Sequence, residues 1–546
     1  MTKTVTAEQL KAMLHDGGEI ALLDAREAGQ FGESHLLFAT PLPYSRLEID
    51  IAALVPRKSV RIVLCDDGVA VVAALAAKRL QAAGYTDVAV LAGGNRAWAA
   101  AGYALFKGVN VPSKLFGELV EHEYDTPRIT VRELARMQAA HEDFVIVDGR
   151  PFSEYQKMNI PGGICCPNAE LPYRIREIVR NPTTTIVVNC AGRTRSILGA
   201  QTLINFGISN PVVALENGTQ GWALADFELE RGSARRYPEN IDEKRLPELQ
   251  KGARALAERF NIEFASAALV HNWLSHSDRT TYLCDVRTPE EFKAGSIPGA
   301  VHAPGGQLIQ ATDQWVGVRN ARIVLIDGGE NVRAPVVASW LMQLGCNAYV
   351  LEGGTRSGLK GPPAAYPVLP VLPTISAADL KPMLDAGSCA VFDLGPSMSF
   401  RKEHVPGSRW STRVRLASEA CNDMGSIVLM AEDAGAARLA ATELLDGGKK
   451  DVRLLDGGLA AWKKAGYATD ATLALPPDAD CIDYLFFVHD RHAGNREAMK
   501  QYLSWETGLL AQLDAQDKAS FRIGQELVGL GSDKLLVHNR PARRRK

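Results

Sequence analysis

The stretch FVIVDGR, residues 144–150, is a short apolar run that ends in Asp148-Gly149-Arg150. A continuous apolar run of this length is typical of a strand buried on both faces of a parallel sheet. The same pattern recurs in IALLDAR (residues 20–26), TYLCDVR (281–287) and CAVFDLG (389–395). Because the pattern returns at a spacing of domain size, it predicts four copies of one α/β unit.

Each copy continues in the same way after this first strand. A second apolar strand follows some forty residues later, as RIVLCDD (61–67), TIVVNCA (185–191), RIVLIDG (322–328) and SIVLMAE (426–432). A closing strand, glycine turn and helix are indicated by VAVLAGGNRAW (88–98), PVVALENGTQGW (211–222), AYVLEGGTRSG (348–358) and VRLLDGGLAAW (452–462). We expect Trp98, Trp222 and Trp462 to pack this last helix on its sheet, whereas the third copy has Gly358 there.

These repeats predict an α/β protein of four tandem domains, each a small, mainly parallel sheet flanked by helices. The predicted domains are residues 1–107, 128–232, 262–362 and 372–472, followed by a C-terminal helical extension and basic tail at 476–546. The connecting stretches at about 108–128 and 232–262 are polar and contain proline, and 359–373 is predicted to be a proline-rich linker. Within the extension, apolar spacing predicts one amphipathic helix near residues 496–515.

The composition limits which partners the protein can have. Sixty-one Lys and Arg against 63 Asp and Glu give a net charge of -2, so no bulk field favours nucleic acid or an anionic membrane. Nine cysteines are too sparse for a disulfide scaffold, and no apolar stretch approaches the roughly 20 residues that span a bilayer. The sequence therefore predicts a protein of the cytoplasm with neither a nucleic-acid nor a membrane partner.

Only the second copy has a thiol where its second strand meets the following helix. An alignment of the copies without gaps places Cys190 opposite Asp67 and Gly328, and opposite Met430 or Ala431 in the fourth copy. Cys65 falls two residues too early in that alignment. If the second copy alone carries a reactive group, the other three are inactive.

The junction of the second copy reads Cys190-Ala191-Gly192-Arg193-Thr194-Arg195-Ser196, followed by the helical run ILGAQTLINF. A loop that opens into a helix directs several N–H groups and the positive end of the helix dipole to one point, which stabilises a thiolate. Cys190 is therefore the predicted nucleophile, and the N–H groups of Ala191 to Ser196 are its predicted anion-binding cradle.

The charged residues near this loop have two possible roles each. Arg193 and Arg195 are expected to add positive charge, steer anionic substrates and hold the loop, although exposed arginines are also commonly just solvated. Asp148 and Arg150 are expected to form a structural ion pair that supports the site. The neighbouring Cys165 and Cys166 are expected to be buried, and the cluster at 489–492 is interpreted as a polar loop, not a metal site.

The strand ends Asp-x-Arg, the I-P-G-G and I-P-G-A segments at 160–163 and 297–300, the C-x4-R-S loop and the terminal GG-x3-W resemble the rhodanese superfamily of sulfurtransferases. This resemblance covers nearly the whole chain to about residue 470. It implies a persulfide on Cys190, a small sulfur donor of thiosulfate-like or mercapto type, and a thiol or cyanide acceptor, with a protein as a further candidate acceptor. It implies no metal and no organic cofactor.

Three functions remain open from the sequence. The favoured function is a sulfurtransferase, and its rival is a partner-dependent sulfur carrier or scaffold with little turnover of its own. The related cysteine phosphatases have a loop one residue longer, C-x5-R, so the C-x4-R loop from Cys190 to Arg195 disfavours phosphatase activity. Because the loop C-A-G-R-T-R is neither of the familiar thiosulfate or 3-mercaptopyruvate loops, the donor stays open.

Overall fold

Each copy folds into a five-stranded sheet whose strands follow the order first, fifth, fourth, second, third. Every pair of neighbouring strands is parallel. The computed structural model describes residues 2–69, 71–276, 278–363, 367–423 and 425–524, with the backbone alone at 492 and 493. The predicted fold class, four tandem α/β units with parallel sheets, is confirmed.

The first two copies have ten elements each. The first comprises β1 Lys3–Val5, α1 Ala7–His15, β2 Ala21–Asp24, α2 Ala28–Glu33, β3 Thr40–Pro41, α3 Leu47–Leu54, β4 Arg61–Cys65, α4 Val72–Ala82, β5 Asp87–Leu91 and α5 Gly94–Ala100. Helix α6, Val111–Tyr124, follows it. The second comprises β6 Arg128–Ile129, α7 Val131–Ala139, β7 Phe144–Asp148, α8 Phe152–Lys157, β8 Ile164–Cys165, α9 Leu171–Ile178, β9 Thr185–Asn189, α10 Thr194–Phe206, β10 Val212–Leu215 and α11 Gly218–Leu224.

The last two copies follow the same plan after helix α12, Leu246–Arg259. The third comprises β11 Glu263–Ala265, α13 Ala267–Ser275, β12 Thr281–Asp285, α14 Pro289–Ala294, β13 Val301–His302, α15 Gly305–Gln310, β14 Arg322–Ile326, α16 Arg333–Gln343 and β15 Asn347–Leu351. The fourth comprises β16 Thr374–Ile375, α17 Ala377–Asp385, β17 Cys389–Asp393, α18 Ser397–Lys402, β18 Arg409–Trp410, α19 Arg413–Glu419, β19 Ser426–Met430, α20 Ala434–Asp446, β20 Val452–Leu455 and α21 Gly458–Lys464. The extension adds α22 Phe486–His489, α23 Arg496–Gly508 and α24 Ala515–Lys518.

The closing helices pack as their sequences predict. Trp98, Trp222 and Trp462 are all buried, and each indole N–H donates to a backbone carbonyl six residues further along the chain. In the third copy, where the Trp is missing, Gly354–Arg356 form only a short 3-10 turn. The tryptophan therefore marks the copies whose closing turn grows into a full helix.

Two of the three connecting stretches are not open linkers. Helices α6 and α12 lie within 108–128 and 232–262, and both contribute to one buried apolar core that joins the first three copies. The polar sequence of these stretches does not predict such packing, because charged side chains such as Lys114 and Glu118 are buried and bonded to other parts of the chain instead of facing water. A polar sequence pattern does not reveal this pairing.

The C-terminal extension differs from its prediction in length. Its main helix, α23, ends at Gly508 and not near residue 515, because the chain turns and buries Leu509 in the shared core. A separate short helix, α24, follows. The predicted basic tail, residues 540–546, lies outside the described residues.

Candidate functional site

Cys190 directly follows β9, and α10 begins four residues later at Thr194. The residue is only 2% exposed. Among the described residues, the backbone N–H groups of Ala191 to Arg195 have no hydrogen-bond acceptor. Unsatisfied N–H groups at a helix start form a cradle for an anion. The loop therefore places a thiol beside donors that the protein itself leaves unused.

The start of α11 is hydrogen-bonded to the backbone of this loop. Thr219 N–H donates to the Cys190 carbonyl at 2.9 Å, and Gln220 N–H donates to the Ala191 carbonyl at 3.1 Å. Gly218 has a φ of +50°, and a Cβ on it would lie 2.1 Å from the Cys190 carbonyl oxygen. Only glycine allows this close approach, so the glycine turn of the closing segment fixes the backbone of the reactive loop.

Strand register corrects the predicted alignment of the copies. Asp24 pairs with Cys65, Asp148 with Asn189 and Asp285 with Ile326, so Cys190 is equivalent to the next residue in each case. Those residues are Asp66 and Asp327, not Asp67 and Gly328, and in the fourth copy Ala431.

Two bonds support this equivalence, since Asn95 N–H donates to the Asp66 carbonyl and Thr355 N–H donates to that of Asp327, as Thr219 does to Cys190. The alignment without gaps failed because the first and third copies have a longer loop before their helix. The conclusion that only the second copy has a thiol at this position is unchanged.

Asp148 and Arg150 form the expected ion pair at the end of β7. Arg150 Nε donates to Asp148 Oδ1 at 2.8 Å and Nη2 donates to Oδ2 at 2.7 Å, and both residues are buried. Asn189 Nδ2 donates to Asp148 Oδ2 at 2.8 Å, which links the pair to the residue before Cys190. Asp24–Arg26 and Asp285–Arg287 repeat the pair in copies without this thiol, so its role is structural.

Arg193 and Arg195 are not solvated surface charges. Arg193 binds Glu118 bidentately at 2.8 and 2.9 Å and also Glu121, both on α6. Arg195 binds Glu154 of α8 at 2.9 and 2.8 Å. Burial by itself lowers the pKa of Arg195. The nearby Glu154, Cys190 and Asp148 raise it by more, so the pKa of Arg195 lies above its usual value. The two arginines hold the loop in place through charge pairs.

The remaining cradle residues support the loop in different ways. Ser196 Oγ donates to the carbonyls of Arg193, at 2.8 Å, and Leu215, at 3.2 Å. The Ala191 carbonyl accepts the side-chain amide of Gln220 at 3.0 Å. Gly192 lies at the outer side of the loop, where a Cβ would be 3.2 Å from Glu506 Oε2 and 3.7 Å from Tyr502 Cε1.

The contact with Tyr502 and Glu506 was missed by sequence reasoning. Both residues belong to α23, which lies across the loop of the second copy. Glu506 is fully buried, and its Oε1 accepts Thr194 Oγ1 at 2.7 Å and Lys114 Nζ at 3.0 Å. Nothing in the sequence connects these positions, because Thr194 and Glu506 are 312 residues apart.

The other cysteines of the first three copies are in inert surroundings. Cys165 and Cys166 are buried, as predicted, and burial raises the pKa of the Cys165 thiol to about 12. Burial likewise raises the pKa of Cys284 to about 12 and that of Cys65 well above its usual range. A thiol with a raised pKa is a poor nucleophile at neutral pH, so these residues do not compete with Cys190.

Other kinds of site find no support in the described residues. No three His, Cys, Asp or Glu side chains there are grouped as metal ligands. The segment 489–492 is not the loop that was predicted, because His489 ends α22 and Asp490–Ala493 form a 3-10 helix. No helix in the part of the chain that the structure describes is long and apolar enough to cross a membrane. A buried thiol beside unused N–H donors can attack an electrophilic sulfur and hold the resulting anion.

Comparisons with known proteins agree with this arrangement. The sequence profile of rhodanese-like domains matches residues 6–101, 130–225, 266–359 and 376–465. The crystal structure of a thiosulfate sulfurtransferase from Pseudomonas aeruginosa has a TM-score of 0.89 and is 43% identical, over 95% of this chain and 99% of that chain.

Two further relatives match single domains. A rhodanese-like domain from an Anabaena protein is 23% identical over 20% of this chain and 86% of that one, with a TM-score of 0.17. A helix-turn-helix-type transcriptional regulator of Mycobacterium tuberculosis is 34% identical over 105 residues. That match spans 19% of this chain and 45% of the length of the regulator.

Proposed function

The chain belongs to the rhodanese family, and we propose that it is a sulfurtransferase in which Cys190 of the second domain carries the transferred sulfur. The observation that carries the proposal is the pairing of a thiol with unused N–H donors in that one loop. The similarity to a thiosulfate sulfurtransferase over nearly the full length of both chains supports the same activity. The proposal assigns catalysis to residues 128–232 and treats 1–107, 262–362 and 372–472 as inactive domains.

The proposed reaction has two steps and needs no external oxidant. The Cys190 thiolate attacks the outer sulfur of a thiosulfate-like or mercapto donor. A bond forms between the two sulfurs, and the bond to the donor breaks with its electron pair on the leaving group. A thiol or cyanide acceptor then attacks the outer sulfur of the Cys190 persulfide, and the electron pair returns to the Cys190 sulfur. Such a scheme predicts ping-pong kinetics.

Each residue of the loop has a proposed part in these steps. Cys190 is the nucleophile, and the N–H groups of Ala191 to Arg195 bind the anionic persulfide and the charge that develops during transfer. The N–H of Ser196, the last residue of the predicted cradle, is not available for this, because it donates to the Arg193 carbonyl at 3.1 Å. Arg193 and Arg195 act through Glu118, Glu121 and Glu154 to keep the loop rigid. Asp148 and Arg150 fix the end of the adjacent strand.

A sulfur carrier that works only with a protein partner is the second candidate, and one observation favours it. Cys190 is 2% exposed and α23 lies against the neighbouring Gly192, so a partner protein that displaces this helix would open the thiol to sulfur transfer. Slow turnover with every small donor, together with rapid transfer to or from a partner protein, would identify this function.

The experiment is intact-protein mass spectrometry after incubation with thiosulfate, 3-mercaptopyruvate or polysulfide, followed by peptide mapping. We expect the mass of one sulfur atom to be added to the peptide that contains Cys190. Cys65→Ala and Cys284→Ala are matched controls, which should load as the parent protein does. If reduced protein gains no sulfur from any donor, the persulfide mechanism is wrong.

A further inference from the structure

The Glu506 carboxylate has one oxygen without a donor, beside the Cys190 loop. Its Oε1 accepts bonds from Thr194 and Lys114, but Oε2 is buried and has no hydrogen-bond donor among the described residues. Burial alone raises the pKa of Glu506, yet the charge of Lys114 and the bond from Thr194 bring it below its usual value. The carboxylate is therefore ionised at neutral pH. An ionised oxygen that is buried without a donor is costly.

A second acceptor without a donor lies at the same place. Gln220 is 4% exposed, and its Nε2 donates to the Ala191 carbonyl, which fixes the orientation of the amide. Its Oε1 is buried and has no donor in the described part of the chain. A Cβ on Gly192 would lie 3.2 Å from Glu506 Oε2 and 3.5 Å from Gln220 Nε2, so both side chains border this part of the loop.

The chemistry of these two groups restricts what can bind between them. A carboxylate oxygen and an amide oxygen both accept hydrogen bonds, and neither can donate one. Cyanide and thiosulfate have no N–H or O–H group to offer, and thiosulfate is also repelled by the charge of Glu506. A cationic ammonium group has three N–H donors and a charge opposite to that of the carboxylate.

We propose that the sulfur acceptor of this protein is a thiol that also carries an ammonium group, which Glu506 Oε2 and Gln220 Oε1 bind while the thiol reacts. This inference rests on the proposed function of Cys190. The acceptor thiolate attacks the outer sulfur of the Cys190 persulfide, and a new sulfur–sulfur bond forms on the acceptor. The bond to Cys190 breaks with its electron pair on the Cys190 sulfur, and the proton of the acceptor thiol passes to solvent.

The test separates loading of the protein from its discharge. Protein loaded with one sulfur from thiosulfate is mixed with cysteamine, which carries an ammonium, or with ethanethiol or 3-mercaptopropionate, which do not. Loss of the added mass with time gives a discharge rate for each thiol. The ratio of the discharge rate with cysteamine to the discharge rate with ethanethiol is compared between the parent protein and Glu506→Gln. The intrinsic reactivity of the two thiols cancels in this comparison.

We expect Glu506→Gln to lower this ratio about ten-fold, because the charge-assisted bond to the ammonium is lost. The glutamine Oε1 can still accept the bonds from Thr194 and Lys114, but the buried Lys114 ammonium loses its carboxylate partner, which is why the ratio and not the absolute rate is compared. Loading by thiosulfate should stay equal or become faster, since a negative charge near the dianion is removed. A purely structural role for Glu506 would instead lower loading and discharge together and leave the ratio unchanged.

Glu497→Gln is the matched control, because Glu497 is an exposed residue in the first turn of the same helix. The ratio of the two discharge rates in Glu497→Gln should equal that of the parent protein. Gln220→Met is the second variant, and a three-fold fall in the ratio is expected from the loss of one neutral acceptor. An unchanged ratio in both Glu506→Gln and Gln220→Met would overturn the inference. No sulfur on Cys190 in the first place would instead overturn the proposed function.

Discussion

The loops of Cys190 and Asp327 occupy equivalent positions in the second and third domains, yet they use their N–H groups in opposite ways. Asp327 Oδ1 accepts N–H bonds from Gly329 and Asn331 at 3.0 and 3.3 Å. Its Oδ2 accepts those of Val332 and Ala334 at 3.1 and 3.3 Å. The carboxylate of the third domain therefore accepts hydrogen bonds from the kind of loop N–H groups that in the second domain have no acceptor among the described residues.

The first domain follows the third. Asp66 accepts N–H bonds from Gly68 at 2.8 Å and from Ala73 at 3.0 Å. The fold creates an anion-binding loop in the first, second and third domains, because a strand that turns into a helix leaves N–H groups unpaired. One side chain at the strand end decides whether the loop N–H groups bind the chain's own carboxylate or are left without an acceptor.

The third domain also supports the second directly. Arg333, at the start of α16, binds Glu170 of the second domain at 3.0 Å as well as Glu291 and Glu330 of its own. Arg333 follows the loop of Asp327, which has no thiol. The third domain thus contributes a charge pair, Arg333–Glu170, that helps to hold the second domain in place.

Removing the thiol should have the largest effect on this contrast. Cys190→Ala is expected to lower sulfur transfer from thiosulfate to cyanide by at least about a thousand-fold, because no other group can carry the sulfur. Steady-state assay of purified protein measures it, with Cys284→Ala as the control. A comparable loss in Cys284→Ala or Cys65→Ala would contradict the assignment of one reactive site.

Removing the Asp327 carboxylate from the loop of the third domain should lower stability but not activity. Asp327→Ala leaves four N–H groups of a buried loop without their acceptor, which should destabilise the third domain by about 4 kcal/mol. Thermal unfolding, together with amide hydrogen exchange at residues 328–334, measures the loss. Asp278→Ala, at an exposed position of the same domain, is the control. Unchanged protection in the loop would show that its carboxylate is dispensable.

The fourth domain provides a test by pH, because Gly395 replaces the arginine that pairs with the strand-end aspartate elsewhere. Burial raises the pKa of Asp393 to about 6, while the bond from Gly395 N–H lowers it. The folded state thus holds this proton more tightly than the unfolded state, whose pKa is about 3.9. The contribution of Asp393 to stability should be fully present below pH 4 and fall by about 2 to 3 kcal/mol as pH rises to about 6.

Asp393→Asn removes the titrating group and keeps an acceptor for Gly395 N–H. Chemical unfolding from pH 4 to 7 should show a flatter profile for this variant than for the parent protein. An identical pH dependence in both proteins would mean that Asp393 does not titrate in this range.

The smallest expected effect comes from placing an aspartate at position 190 of the second domain, where the third domain has Asp327. Cys190→Asp should abolish transfer but raise stability by about 1 kcal/mol relative to Cys190→Ala, because the loop N–H groups gain a carboxylate acceptor. The two melting temperatures measure the difference. A lower melting temperature for Cys190→Asp would show that the shorter loop cannot bind its own side chain.

Much of the fold and the central residue of the site were open to prediction from the sequence. Strand ends such as Asp148-Gly149-Arg150 and turns such as Gly218 are local signals, because each depends on a few neighbouring residues. The residues equivalent to Cys190 in the other copies were not open to prediction. The first and third copies have two more residues between that position and their helix, which an alignment without gaps cannot show. The packing of helix α6 was not open to prediction either, because its buried charges are neutralised by residues far along the chain.

The sequence by itself determined the four α/β domains, their parallel sheets and the single thiol at a strand-to-helix junction, since apolar periodicity and turn residues act over short distances. Only the tertiary structure decided what surrounds that thiol. Lys114, Gln220 and Glu506 reach the Cys190 loop from three separate segments, and packing alone brings them together. The chemistry of the loop is therefore local, whereas its charge balance and its access depend on the assembled chain.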